Sequence, residues 1–352
     1  MIQKEKTMKF SFSKIPALAL SALLLIPSLS CNKDECEYVA GSNPGCHYLN
    51  RLSLTTGIDE NGEQIHPNQG LADPCWRLLN NPPLVDCGDP LQSTIDGSAW
   101  VVNFNDSSPD GWVNQSGAGS ICPVNMGATG FGCYNAFNPL FDPLPYVFER
   151  SFCLSKDEVV DINFLFKGDD RLYFELIHNP TNTVLLTSPG YVFPALPQSW
   201  NVSISLSAGS YSIRGRMMND LPAGLGFSAI GSVVVPTNEI VLSDNHNGCC
   251  DNNVISVFHL LEEFGCNQQF DSFDLIGYGW TVNLRDASNA IVRTDVTDIN
   301  GELFFAGLPA GVYTVEMVAI PGWTTYAPAG GAVTLTVVGN SVSRVQFFTC
   351  KG

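Results

Sequence analysis

From Trp100 onward, apolar and polar positions alternate with a period of two in short runs. That is the pattern of half-buried strands. The runs are Trp100 to Phe104, Tyr146 to Cys153, Val159 to Lys167, Arg171 to His178, Ser199 to Leu206, Gly209 to Met217 and Ala229 to Val235. They recur at intervals of roughly ten residues with turn signals between them, which predicts a sandwich or jelly roll. Gly168-Asp169-Asp170 marks a turn between two of these strands. Neighbouring carboxylates on a hairpin point apart, so this pair reads as turn chemistry, not as an acid–base couple.

A second series follows. Asn300-Gly301 is a tight hairpin turn, since both residue types tolerate positive φ. Leu303, Phe304 and Phe305 form a short apolar strand, Leu308 to Gly311 turns again, and Val312, Thr314 and Glu316 alternate with Tyr313, Val315 and Met317. Asp295 and Asp298 fit turn roles. Val254 to Phe258 predicts a first strand for this series, and Val333 to Val338 and Val342 to Phe348 predict its last two. No long stretch has helical periodicity. The expected fold class is all-β, with two β-sandwich domains in tandem: one jelly-roll-like (47–236), one prealbumin/Ig-like (254–352).

The stretch from Thr294 to Gly322, with Gly279 to Leu284 (Gly-Trp-Thr-Val-Asn-Leu) and Pro321-Gly322-Trp323, resembles the B-type repeat domains of bacterial surface adhesins. These are prealbumin-like sandwiches. The resemblance implies a non-catalytic module that spaces, props up or displays others. The earlier region resembles galactose-binding-like jelly-roll modules in three places. These are Leu54 to Asp59 with Asp73 to Trp76, Phe164 to Asp170 with Tyr173 to Leu176, and Leu206 to Tyr211 with Asn219 to Gly231. Such modules bind glycans or mediate assembly.

The amino terminus adds an address. Lys4, Lys6, Lys9 and Lys14 precede the apolar run Ile15 to Leu29, and Met8 is a second candidate initiator. This is a secretory signal over 1–30, too short for a membrane span. Ordinary cleavage after Ser30 fits the small residues there. Leu29-Ser30-Cys31 also resembles a lipobox, with Ser28 where Leu is usual. Asn32-Lys33-Asp34-Glu35 resembles the tag that follows the lipidated cysteine of surface-exposed lipoproteins. This reading makes Cys31 the lipidated residue, 31–46 a tether and the outer-membrane surface the destination, with soluble secretion as the alternative. Residues 237–253 read as a polar linker.

Charge narrows the partners. The chain has 17 basic and 34 acidic side chains, and residues 1–30 hold four Lys and one Glu. The remainder carries 13 basic against 33 acidic groups, a surface that repels nucleic acid and anionic headgroups. A membrane is then reached only through a lipid anchor. Twelve cysteines on an exported chain predict disulfides. Short spacings favour Cys36 with Cys46, Cys75 with Cys87, Cys122 with Cys133, and Cys249 or Cys250 with Cys266. No Cys-x-x-Cys supports a zinc site.

Candidate chemistry is sparse. The motifs of hydrolases, phosphate-binding loops, zinc proteases and dinucleotide folds are absent from the sequence. The best binding candidates are aromatic rings, which stack on sugars at low entropic cost. Trp112 follows the loop signature Ser108-Pro109-Asp110-Gly111, and Tyr134 and Trp200 join it as expected ligand contacts. The B-type resemblance also implies a calcium loop, here reduced to Glu263, Asn267, Asp271 and Asp274, and hence at most a weak Ca2+ site. The Lys–Asn isopeptide bond of some relatives is excluded, because no Lys lies between Cys250 and Cys350. The expected function is non-catalytic recognition of a glycan or an extracellular protein at the cell surface. The alternatives are a structural subunit of an extracellular fibre or secretion-associated assembly, and, last, a glycan-processing enzyme.

Overall fold

The computed structural model describes residues 46–59, 63–65, 71–80, 98–102, 118, 120–122, 144–169, 171–192, 196–218, 226–243, 253–262, 266–267, 274–339 and 341–351. These residues belong to one compact unit. Among the described residues the regular structure is strand, with short 3-10 turns at Asn179–Thr181 and Ala329–Gly331. Cys31, the tether up to residue 45, Trp112 and Tyr134 lie outside the described residues, as do Cys36, Cys87, Cys133, Cys249, Cys250, Glu263 and Asp271, while Cys46, the last residue of the expected tether, opens a strand.

The first fourteen strands are β1 (Cys46–Leu49), β2 (Arg51–Ser53), β3 (Ala72–Leu78), β4 (Ser98–Val102), β5 (Ser120–Cys122), β6 (Tyr146–Leu154), β7 (Glu158–Asp169), β8 (Arg171–His178), β9 (Thr183–Thr187), β10 (Tyr191–Val192), β11 (Gln198–Leu206), β12 (Gly209–Met218), β13 (Gly226–Val234) and β14 (Ile240–Ser243). They share one sheet whose main order is β10-β8-β12-β6-β3-β4-β5-β13-β7-β11. The sheet curls onto itself, because residues far apart in that order touch inside it. Trp76 of β3 meets Phe174 of β8 and Phe227 of β13 edge-on at 6.0 and 5.6 Å. Phe164 and Phe166 of β7 pack edge-on against Phe174 at 4.6 and 4.8 Å. The alternation predicts this core, since Phe164, Phe166, Phe174, Ile213 and Met217 all point inward.

The remaining strands are β15 (Asn253–Glu262), β16 (Leu275–Ile276), β17 (Thr281–Arg285), β18 (Ile291–Val296), β19 (Glu302–Leu308), β20 (Gly311–Met317), β21 (Trp323–Ala327), β22 (Ala332–Val337) and β23 (Val342–Lys351). One sheet runs β16-β15-β23-β21 with β19 also on β15, and the facing sheet runs β18-β17-β20-β22. Together with the curled sheet before them, they make the protein an all-β chain of tandem sandwiches. Strands β15 and β23 are parallel, with Val254 beside Val342 and Glu262 beside Cys350. Trp280 and Trp323 meet edge-on at 5.9 Å within the core of this second sandwich.

Asn300-Gly301 is a turn, but not the expected hairpin: it leads from β18 in one sheet to β19 in the facing one, and of the two residues Gly301 takes positive φ while Asn300 does not. Asp298 Oδ1 accepts from the N–H groups of Asn300 and Glu302, and Gly301 N–H donates to Asp298 O. Gly301 sits at φ +70°, and a Cβ there would lie 2.7 Å from the carbonyl oxygen of His259. Only glycine fits that combination.

One disulfide expectation is corrected. Cys266 bonds to Cys350, not to Cys249 or Cys250. The parallel pairing of β15 with β23 carries the chain end alongside the segment that follows β15. Cys153 is also disulfide-bonded.

Candidate functional site

The described aromatic candidate does not face solvent. Trp200 of β11 is 5% exposed and belongs to the first sandwich's core, so the expectation that it contacts a ligand is overturned. Its strand alternates exposed Ser199, Asn201, Ser203 and Ser205 with buried or half-buried positions, and Trp200 falls on the inward phase. Trp76 is core as well.

Of the four calcium candidates, Asn267 and Asp274 fall among the described residues. The inward carboxylates at the end of the β15–β16 hairpin are Glu262 and Asp274, each about 1% exposed. Leu261 pairs with Leu275, so these two residues stand opposite each other one step further on. Asn267 is exposed, and its backbone N–H donates to Glu262 Oε2 at 2.5 Å. Among the described residues, no group of three or more His, Cys, Asp or Glu side chains converges as a metal site.

Among the described residues, a dense concentration of functional groups lies where the two sandwiches meet, and the sequence reading did not single it out. On the outward face of the first sandwich, β6 supplies Glu149, β12 supplies Arg214 and Arg216, β8 supplies Glu175 and β3 supplies Arg77. Antiparallel pairing sets them side by side: Arg214 lies across from Glu149 on one flank and from Glu175 on the other. Glu149 accepts from Arg77 Nη2 at 2.7 Å and from Arg214 Nη2 at 2.8 Å. Arg216 Nε donates to Glu175 Oε2 at 2.9 Å.

The second sandwich closes over this face with its 298–306 segment. Arg216 Nη1 lies 3.6 Å from Asp298 and 3.7 Å from Glu302. Asn80 Nδ2 donates to Glu302 Oε1 and to the carbonyl of Pro145, while Asn80 Oδ1 accepts from Val147 N–H. The Arg214 guanidinium sits over the Phe304 ring at 4.7 Å. Two more arginines cross the seam in the other direction. Arg344 donates to the carbonyl of Leu78 at 2.7 Å, and Arg293 bridges the carbonyls of Ala306 and Asn179. Between the ion pairs lies a small dry cluster of Leu79, Val147, Val254, Phe304 and Ala306.

The electrostatics explain how so many charges tolerate burial. Burial opposes the Glu149 carboxylate, but the charges of Arg77 and Arg214 outweigh it and hold its pKa at about 2. Glu302 goes the other way. Burial, reinforced by Asp298, pushes it up to about 8 against the pull of Arg216, Asn80 and Arg214. At neutral pH Glu302 is therefore a neutral acid. The seam then balances Arg77, Arg214 and Arg216 against Glu149, Glu175 and Asp298. Burial disfavours the Arg216 cation, yet Glu175, Asp298 and Glu302 together raise its pKa. The cations of the seam are all arginines, whose flat fork makes two directed bonds where lysine makes a point contact.

A seam of this kind fixes geometry. Its carboxylates are engaged by arginine. What it does chemically is lock one sandwich against the other.

No protein-family model matches the chain, and no curated protein matches it. Solved structures give weak likenesses. A minor pilin of Streptococcus agalactiae aligns over 53% of this chain and 84% of its own, at 9% identity and a TM-score of 0.24. The major pilin subunit of Bacillus cereus aligns over 64% of this chain and 68% of its own, at 11% identity and a TM-score of 0.22. A β-glucuronidase from Ruminococcus gnavus aligns over 87% of this chain and 48% of its own, at 12% identity and a TM-score of 0.20. Likeness at this level decides neither function nor partner.

Proposed function

We propose that this protein is an exported, non-catalytic structural unit of the cell surface, in which two β-sandwiches act as one rigid piece that spaces or builds an extracellular assembly. One observation carries the reading: the buried arginine–carboxylate seam, which joins the sandwiches over charged and apolar contacts alike. A tether between independently moving modules has no use for such a joint. A part that must keep its shape does.

Export is supported by the basic and apolar amino terminus and by the Cys266–Cys350 disulfide, since disulfides persist in oxidising compartments. No described helix is long and apolar enough to cross a membrane. Attachment through a lipidated Cys31 fits this picture. The recognition reading ranks second, because Trp200, one of its three named contacts, is core.

The test is a glycan array probed with the exported chain, beside cross-linking of the chain on its native cell surface. The structural reading expects no saturable glycan signal and a cross-linked ladder or a defined heteromer. Saturable binding to one glycan class, lost in a folded Trp112→Ala variant, would replace it with the recognition reading.

A further inference from the structure

The strand β18 closes one side of the second sandwich's four-stranded sheet, and among the described residues it pairs only with β17. Its side chains are unusually apolar for an edge: Ile291, Val292 and Val296 are 50, 46 and 51% exposed. Open apolar edges are templates for another strand.

The backbone shows which groups are open. Thr297 N–H donates to Trp280 O, and Gly279 N–H donates to Thr297 O, so the Thr297 peptide faces β17. Alternation then turns the backbone groups of Val296 and Thr294 to the open side. Val296 N–H is taken by the side chain of its own neighbour, Asp295, at 2.9 Å. That is a local substitute for a strand.

Val292-Arg293-Thr294-Asp295-Val296 is self-complementary when read against itself in reverse. Centred on Thr294, an antiparallel copy sets Thr opposite Thr, each Arg293 opposite an Asp295, and each Val292 opposite a Val296. The residues whose backbone faces outward are those that this register places in hydrogen-bonded pairs. We infer that β18 is a self-pairing edge: two copies of this chain join β18 to β18 about a twofold axis through Thr294, fusing two four-stranded sheets into one.

Charge favours this edge for such a contact. The chain carries a formal net charge of −17, so most surfaces repel their copies. Within Val292–Val296 one cation meets one anion. Arg293 is held by the carbonyls of Ala306 and Asn179, which fixes where its charge lies beside the edge. The bulge where Leu284-Arg285 pairs with Arg293 and Ile291 ends the regular stretch at Val292. That confines pairing to a short segment and disfavours open-ended stacking. The contact is isologous, so it closes as a dimer. The opposite edge, β22, is the rival, but Ala332 to Val337 carries no charge to set a register. The inference does not rest on the structural reading above, because a glycan-binding chain would carry the same edge.

The test is sedimentation velocity of the exported chain, disulfides intact, over a concentration series with three variants. Thr294→Pro deletes the amide at the twofold axis, which β17 does not use. Val296→Lys sets a charged side chain against the apolar Val292 of the second copy. Thr334→Pro marks the rival edge. The expected result is a concentration-dependent dimer whose Kd rises at least about tenfold in Thr294→Pro and in Val296→Lys, with Thr334→Pro unaffected. Should Thr294→Pro unfold, the Val296→Lys result decides. A chain that stays monomeric up to about 1 mM overturns the inference. So does a dimer that both β18 variants leave intact, or one lost only in Thr334→Pro.

Discussion

Glu302 is enclosed by protein, with Asn80, Asp298 and Arg216 around its carboxyl group. Its folded pKa of about 8 lies above the ordinary 4.5, so the folded chain holds an extra proton between those values. Its contribution to stability is full below about pH 4.5 and is lost as pH rises through about 8. Glu302→Gln imitates the protonated acid and lacks this dependence. In urea unfolding, the native chain should lose ground to the variant between about pH 4.5 and pH 8, at up to roughly 1.4 kcal/mol per unit of pH, and no further above that. Parallel pH profiles for the two chains would show that Glu302 does not hold its proton. Glu149 sets the opposite limit: with its pKa depressed to about 2, its contribution is present above 4.5 and disappears as pH falls toward 2. Trp200 gives a second check at this scale. As a core residue, its replacement by Ala should cost about 3–5 kcal/mol of stability. A Trp200→Ala chain that is fully stable yet loses a ligand would restore the ring to a binding surface.

Among the elements, the most strongly patterned strands were legible from sequence and the seam was not. Arg171 to His178 is a strand with the expected limits, because alternation is local chemistry. Asn300-Gly301 turns where expected, with positive φ at Gly301, but it joins β18 to β19 in the facing sheet and so is no hairpin. Ser212, Arg214 and Arg216 alternate with Ile213, Gly215 and Met217, a pattern that sequence logic assigns to a solvated face. It is the outward face of its own sandwich. Asn179 and Asn182 of the same sandwich and Phe304 of the second one cover it, and no local rule encodes that docking. The Cys266–Cys350 bond was hidden for the same reason, since short spacing is a guide only until a parallel β15–β23 ladder brings distant residues together. Cys350→Ala should therefore act on the element it anchors. The expected cost is about 2–5 kcal/mol, with faster amide exchange along β23 and the end of β15. An exchange pattern unchanged in β23 would mean that backbone pairing alone holds that strand.

For the whole molecule, the seam predicts how the protein comes apart. Two sandwiches joined by a solvated linker unfold separately, each with its own midpoint. Here Arg214 bonds Glu149 on one side and covers Phe304 on the other, so neither sandwich opens without exposing buried charge on its partner. Calorimetry of the chain with its disulfides intact should show one cooperative transition spanning both sandwiches. Arg214→Ala leaves Glu149 buried with Arg77 as its remaining ion pair, and breaking a buried pair from one side costs about 3–5 kcal/mol. That penalty falls on the joint and on the first sandwich, while the second keeps its own core and disulfide. The variant's single transition should split in two, with the later one retained by the second sandwich and abolished by reductant-induced loss of Cys266–Cys350. Two transitions already present in the native chain would mean that the seam is only a contact, and the rigid unit on which the structural reading depends would be gone.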